Sequence, residues 1–120
     1  MSENNQIMPN KVKAFVPVML DKERRLKLDS NAMIAFEEQT GKSWLTGSVN
    51  PSKLKYKEWC ILVWSMLLTD DPTLTLKQVQ DFADLMVMRR LTPYVVKAIN
   101  IALEADEEDK VPLAESQQPG

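Results

Sequence analysis

The chain has 120 residues, 44% of them apolar, which is enough for one domain with a hydrophobic core. Its formal net charge is only −2 and its basic residues are dispersed, which argues against binding to nucleic acid or to an anionic membrane. Histidine is absent and Cys60 is the single cysteine, which excludes a thiolate zinc site, an intramolecular disulfide and the usual catalytic triads. The composition therefore predicts a protein that is not an enzyme and uses no metal or cofactor.

The N-terminal third is predicted to contain a flexible segment, a β-hairpin and a helix. Residues 1–12 are mostly polar, are expected to be flexible, and lack the features of a signal peptide. Residues 13–28 predict a hairpin, because a β-branched apolar run around Pro17 precedes a polar turn and an alternating charged and apolar stretch. A helix over about 30–40 follows, with Asp29 or Ser30 as N-cap and Gly41 at the left-handed position that ends it.

The most apolar stretch, Trp59–Leu68, predicts the central helix of the domain. Asn50 as N-cap and Pro51 at the first helical position mark its start, and Pro72 prevents its continuation, so it is expected over about 51–68. A membrane span would need roughly 20 apolar residues, which this stretch lacks. Two alternatives remain open: the other elements wrap this helix completely, or part of it is exposed to a partner.

Two more helices are predicted before an acidic tail. A capping box at Thr75 and Gln78 begins one over about 75–90, and Thr92 with Pro93 begins the other over about 93–105. Residues 106–120 have the composition of an acidic disordered tail. The predicted fold is α+β and mostly α-helical: a single compact domain over 13–105, in which an N-terminal two-stranded hairpin precedes about four helices around a central apolar helix.

Helical phase suggests a partner-binding surface. The candidates are Trp59, Leu62 and Met66 on the central helix and Met88 on the next. Methionine adapts to many partners, but it is also ordinary core filler, and both interpretations stay open. If these residues are exposed, charging Met66 and Met88 impairs partner binding without unfolding the domain; if they are core, the same change unfolds it.

Three segments in chain order carry a resemblance to a known family. They are the hairpin end Leu20–Asp29, the helix Asn31–Lys42 with its Glu-Glu-Gln-Thr-Gly ending, and the apolar helix followed by the Asp-Pro-Thr-Leu-Thr loop that begins at Asp71. Together they resemble the small tail assembly chaperones of long-tailed bacteriophages and prophages. In these proteins a hairpin with a polar turn precedes a helix of this kind, then an apolar helix and a similar loop. The resemblance covers roughly residues 14–103.

The resemblance implies a non-catalytic chaperone that coats the tape-measure protein and keeps it soluble until tail-tube subunits replace it. It implies a location in the cytoplasm of the bacterial host and absence from the mature virion. The expected mode of recognition is an amphipathic helix in a groove. One alternative is a small phage structural or connector protein that self-associates. Another is a DNA-binding regulator with Thr75–Arg89 and Thr92–Leu103 as a helix-turn-helix, which the acidic bias disfavours.

Overall fold

The computed structural model describes the backbone of residues 15–117 and the side chains of residues 15–104. Its elements are β1 (Val16–Met19), β2 (Glu23–Leu26), α1 (Ser30–Thr40), a 3₁₀ turn (Pro51–Lys53), α2 (Tyr56–Leu67), α3 (Leu76–Phe82) and α4 (Leu85–Gln117). A hairpin followed by four α-helices confirms the predicted α+β, mostly helical class. The segment predicted to be flexible, residues 1–12, lies outside the described residues, as do residues 118–120.

The hairpin buries one face and attaches to α2. The strands pair antiparallel, with Val16 opposite Leu26. Val16, Val18 and Leu26 are buried, whereas Pro17 and Met19 are exposed, as the alternation of side chains along a strand requires. Just after β2, the Lys27 N–H donates to the carbonyl of a residue in α2 over 3.0 Å. A lone hairpin is marginal in water, so this attachment and the buried face hold it in place.

Helix α1 spans the range expected from its caps. The Asp29 carboxylate accepts from the Ala32 N–H over 3.0 Å, and Gly41 adopts φ 76° at the C-terminal end. The second carboxylate oxygen of Asp29 accepts from the hydroxyl of Thr69, in the turn after α2. One aspartate therefore caps α1 and also joins it to the end of the central helix.

Helix α2 is shorter than predicted and is wrapped by the rest of the domain. Asn50 and Pro51 begin a separate 3₁₀ turn, and Leu54 is extended, so α2 begins at Tyr56 rather than at residue 51. The backbone opens there because Leu54 packs against the core, and the Glu58 carboxylate then accepts from the Lys55 N–H over 3.0 Å to begin the helix. Elements α1, α3, α4 and β2 all pack on α2, which agrees with the first of the two alternatives.

The boundary between the last two helices also differs from the prediction. Thr75 and Gln78 form the expected capping box, but α3 ends at Phe82, and Asp84 caps α4 by accepting from the Val87 N–H over 3.0 Å. Helix α4 then runs through Thr92 and Pro93, where the sequence predicted a break. The two helices of the helix-turn-helix alternative are therefore not separated where that alternative required.

Continuous burial explains why α4 passes through Pro93. A proline inside a helix costs about 3 kcal/mol or more, since it lacks a donor and crowds the preceding turn. Three aliphatic side chains, Leu91, Val95 and Ile99, stay buried at helical spacing on both sides of it. Each such burial contributes roughly 1.5–3 kcal/mol, so their sum exceeds the cost of the proline.

The same helix continues to Gln117, although the sequence predicted an acidic disordered tail from residue 106. Residues 106–117 include Glu107, Glu108 and Glu115. Glutamate has high helix propensity, so a helix that already exists can extend through such residues.

Candidate partner-binding surface

The four predicted contact residues do not form an exposed surface. Leu62, Met66 and Met88 belong to the core, with Met88 only 4% exposed, and Trp59 is half-buried against that core. The prediction that they meet a partner is therefore wrong for the three buried residues. The physical reason is that α2 is covered from several sides, which buries Leu62 and Met66, and that Met88 lies on the buried stripe of α4.

Large exposed apolar side chains lie elsewhere, and several of them are on α4. Met86, two residues before the buried Met88, is 65% exposed. Leu85, Tyr94, Val96 and Leu103 are also exposed on this helix. Because α4 buries a single stripe, it leaves apolar side chains on the flanks of that stripe, which α2 does not.

A groove runs between β1 and α4 and has a volume of about 390 Å³. Strand β1 contributes Pro17, Val18 and Met19, and α4 contributes Val87, Arg90, Leu91 and Tyr94. Met19 is 70% exposed and Tyr94 is 48% exposed, so the groove has apolar walls that are open to solvent. A groove of this kind fits apolar side chains of a partner, and it is the candidate functional site.

Local structure explains how each wall of the groove forms. On α4 the lining residues are spaced at i, i+3, i+4 and i+7, which is one side of a helix. On β1, Pro17 and Met19 alternate with the buried Val16 and Val18. Sequence reasoning missed the groove because it ended a helix before Pro93. The buried spacing from Met88 through Leu91 to Val95 would have given the phase of α4, and with it this flank.

A second concavity, of about 480 Å³, is lined mainly by charged groups of the hairpin and of the turn after α2. Arg24 donates to both carboxylate oxygens of Asp21 over 2.6 and 2.9 Å, and to Asp71 over 3.3 Å. Arg25 pairs with Asp70 over 2.7 Å, and the Arg24 guanidinium lies over the Phe82 ring. These pairs satisfy one another and join the hairpin to α2 and α3, so the concavity has a structural role.

The same contacts shift the ionisation of two aspartates. Hydrogen bonding from Arg24 holds the pKa of Asp21 below its usual range. The pKa of Asp71 is also lowered, first by the hydrogen bond from Thr73 and then by Arg24. Both carboxylates are therefore stabilised in their charged form. Charged Asp21 holds Arg24 within the hairpin, and charged Asp71 links Arg24 to the turn after α2.

Two further titratable side chains, the buried Cys60 and the partly exposed Tyr56, are held by packing or by a backbone hydrogen bond. Burial raises the pKa of the Cys60 thiol, which keeps it protonated and unreactive. Tyr56 donates its hydroxyl to the carbonyl of Ala83 over 2.7 Å, at the break between α3 and α4, and its pKa is raised mainly by desolvation. Both residues are therefore interpreted as structural.

The part of the chain that the structure describes contains no group of three or more carboxylate or cysteine side chains placed to hold a metal ion. Among the same residues, no helix combines the length and the apolar character needed to cross a bilayer. In the comparisons with known proteins, no family model, no curated protein and no solved structure matches this chain. The groove between β1 and α4 is therefore identified as the candidate binding site from its geometry alone.

Proposed function

We propose that this protein is a non-catalytic tail assembly chaperone that binds the tape-measure protein and keeps it soluble during tail assembly. The observation that carries the proposal is the groove between β1 and α4, whose apolar side chains include the exposed Met19 and Tyr94. A long tail protein built from helices presents rows of apolar side chains before it is assembled. A small domain that offers an open apolar groove can cover such a row and prevent its aggregation.

The order of the secondary-structure elements along the chain also supports the proposal. The hairpin, the helix ending at Gly41 and the apolar helix occur in the order that the resemblance to tail assembly chaperones implied. Function would then take place in the cytoplasm of an infected or lysogenic bacterial host, and tail-tube subunits would replace the chaperone, leaving it out of the mature virion. Nothing in this role requires a catalytic group or a cofactor.

The test is co-expression of the full chain with the tape-measure protein encoded beside it, scored by solubility and co-purification. The wild-type chain is expected to keep the long protein soluble. Met19→Asp places a charge in the groove and is expected to reduce the soluble fraction. Leu45→Asp is the matched control, because Leu45 is 93% exposed and lies outside the groove.

Two outcomes would overturn the proposal. In the first, the chain purifies alone as a defined ring and leaves the tape-measure protein insoluble, which would favour the self-associating structural protein. In the second, Met19→Asp and Leu45→Asp behave alike while both variants remain folded by circular dichroism. That result would mean that the groove does not contact the client.

A further inference from the structure

The groove between β1 and α4 is apolar on its floor and cationic on one side. Among the lining residues that the structure describes, Arg90 is the only charged one. Arg90 is exposed, and no ion pair joins it to another side chain that the structure describes. Lys97 is also exposed, and its spacing of seven residues places it on the same side of α4, two turns further along. A ligand in the groove would therefore meet positive charge along the α4 side.

The strand side of the groove is poorly suited to an added β-strand. Pro17 lies opposite Arg25 in the antiparallel pairing of β1 and β2. Because proline has no N–H, it fits a non-hydrogen-bonded position of the pair, where the backbone N and C=O point away from β2. A strand added at the edge of β1 that does not face β2 would find no donor at Pro17. Helix α4 also packs beside β1. Side chains from a helix can enter such a groove without pairing with its backbone.

We propose that the groove binds an amphipathic helix of a partner protein whose apolar side chains are bordered by carboxylates. The apolar side chains contact Met19, Val87 and Tyr94, and the carboxylates lie against Arg90 and Lys97. This inference rests on the proposed function and names the class of tape-measure segment that the chaperone selects. Charge complementarity at the rim of an apolar interface sets orientation and rejects partners with the opposite pattern.

The experiment uses two labelled helical peptides of about 18 residues, or roughly five turns. Both carry leucine at i, i+3, i+4 and i+7; one has glutamate beside the leucines and the other has lysine. Binding to the full chain is measured by fluorescence anisotropy. We expect the wild-type chain to bind the glutamate peptide about tenfold more tightly than the lysine peptide. Raising the salt concentration is expected to reduce that difference by screening.

Charge reversal at neighbouring arginines gives a matched pair of variants. Arg90→Glu is expected to weaken binding of the glutamate peptide and to strengthen binding of the lysine peptide, so that the preference reverses. Arg89→Glu changes the net charge equally, but Arg89 is about 100° further around the helix and does not line the groove. It is therefore expected to leave the preference in place. Both arginines are exposed, so both variants should fold.

Equal effects of the two variants, or equal binding of the two peptides, would overturn this inference. So would a wild-type chain that self-associates in gel filtration and is made monomeric by Arg90→Glu, since a second copy would then occupy the groove. Failure of the proposed function is separate. If the peptide preference reverses as expected but the tape-measure protein stays insoluble on co-expression, the groove assignment stands and the chaperone role does not.

Discussion

Helices α2 and α4 are both rich in apolar residues, yet they use them differently. In α2 the buried side chains point in all directions, because four other elements pack around it. In α4 the buried side chains follow one stripe, and apolar residues on either side of that stripe remain exposed. The apolar run of α2 is thus the more continuous of the two, yet it exposes less apolar surface to a partner than that of α4. Available apolar surface arises where a helix is covered on only one side.

Two methionines two residues apart provide the sharpest test of this difference. Met88→Glu buries a carboxylate in the core and is expected to lower the free energy of unfolding by about 3 kcal/mol or more. Met86→Glu places the same charge in solvent and should change it by no more than about 0.5 kcal/mol. Urea denaturation followed by circular dichroism measures both. Equal effects would mean that the phase of α4 is wrong.

Replacing Pro93 tests whether α4 is continuous. If residue 93 is inside a helix, Pro93→Ala restores a backbone donor and removes a steric clash, so stability is expected to rise by about 1–3 kcal/mol. If a helix instead began at Thr92 and Pro93, the same change would be neutral or destabilising, because proline is favoured at the first helical position. The midpoint of urea denaturation distinguishes these results.

Removing the Tyr56 hydroxyl tests whether its hydrogen bond from α2 to the α3–α4 break stabilises the fold. Tyr56→Phe removes the hydroxyl that donates to the Ala83 carbonyl and keeps the ring. The expected cost is about 0.5–1.5 kcal/mol, the usual net contribution of one hydrogen bond. Thermal unfolding measures this cost, and Tyr94→Phe is the control, because no hydrogen bond of the Tyr94 hydroxyl is found among the described residues. A cost equal to that of the control would contradict the role of Tyr56.

The two ion pairs of Arg24, with Asp21 in the hairpin turn and with Asp71 in the turn after α2, predict the smallest effect, and this effect depends on pH. The pKa values of Asp21 and Asp71 are lowered in the folded chain, so their contribution is present above the ordinary value of 3.8 and is lost as the pH falls below it. Arg24→Gln removes the shared cation and should weaken this acid dependence. Urea midpoints between about pH 2 and 6 measure it. An unchanged acid dependence would mean that Arg24 does not set these pKa values.

Locally encoded features could be predicted from the sequence. The Asp29 cap, the Gly41 end of α1 and the capping box of α3 all depend on residues within a few positions of each other. The starts of α2 and α4 could not be predicted in the same way. Leu54 is extended and packs against the core, which ends the 3₁₀ turn before α2 begins. Asp84 caps α4 next to Ala83, whose carbonyl accepts from the distant Tyr56.

The candidate site was less predictable than the fold. Helical phase placed Leu62, Met66 and Met88 on a surface, but phase shows only which residues share a side. It does not show whether another element covers that side. The groove depends on the placement of β1 beside α4, which joins residues about seventy positions apart in the sequence.

The sequence by itself determined the fold class and most of the element types: a small mostly helical domain with one hairpin and an apolar central helix. These follow from composition, periodicity and local capping, which act over short distances along the chain. Only the tertiary structure decided which apolar side chains are buried, whether Pro93 interrupts a helix and where an open groove lies. Those outcomes depend on burial against distant elements, whose free energy exceeds the local preferences that the sequence expresses.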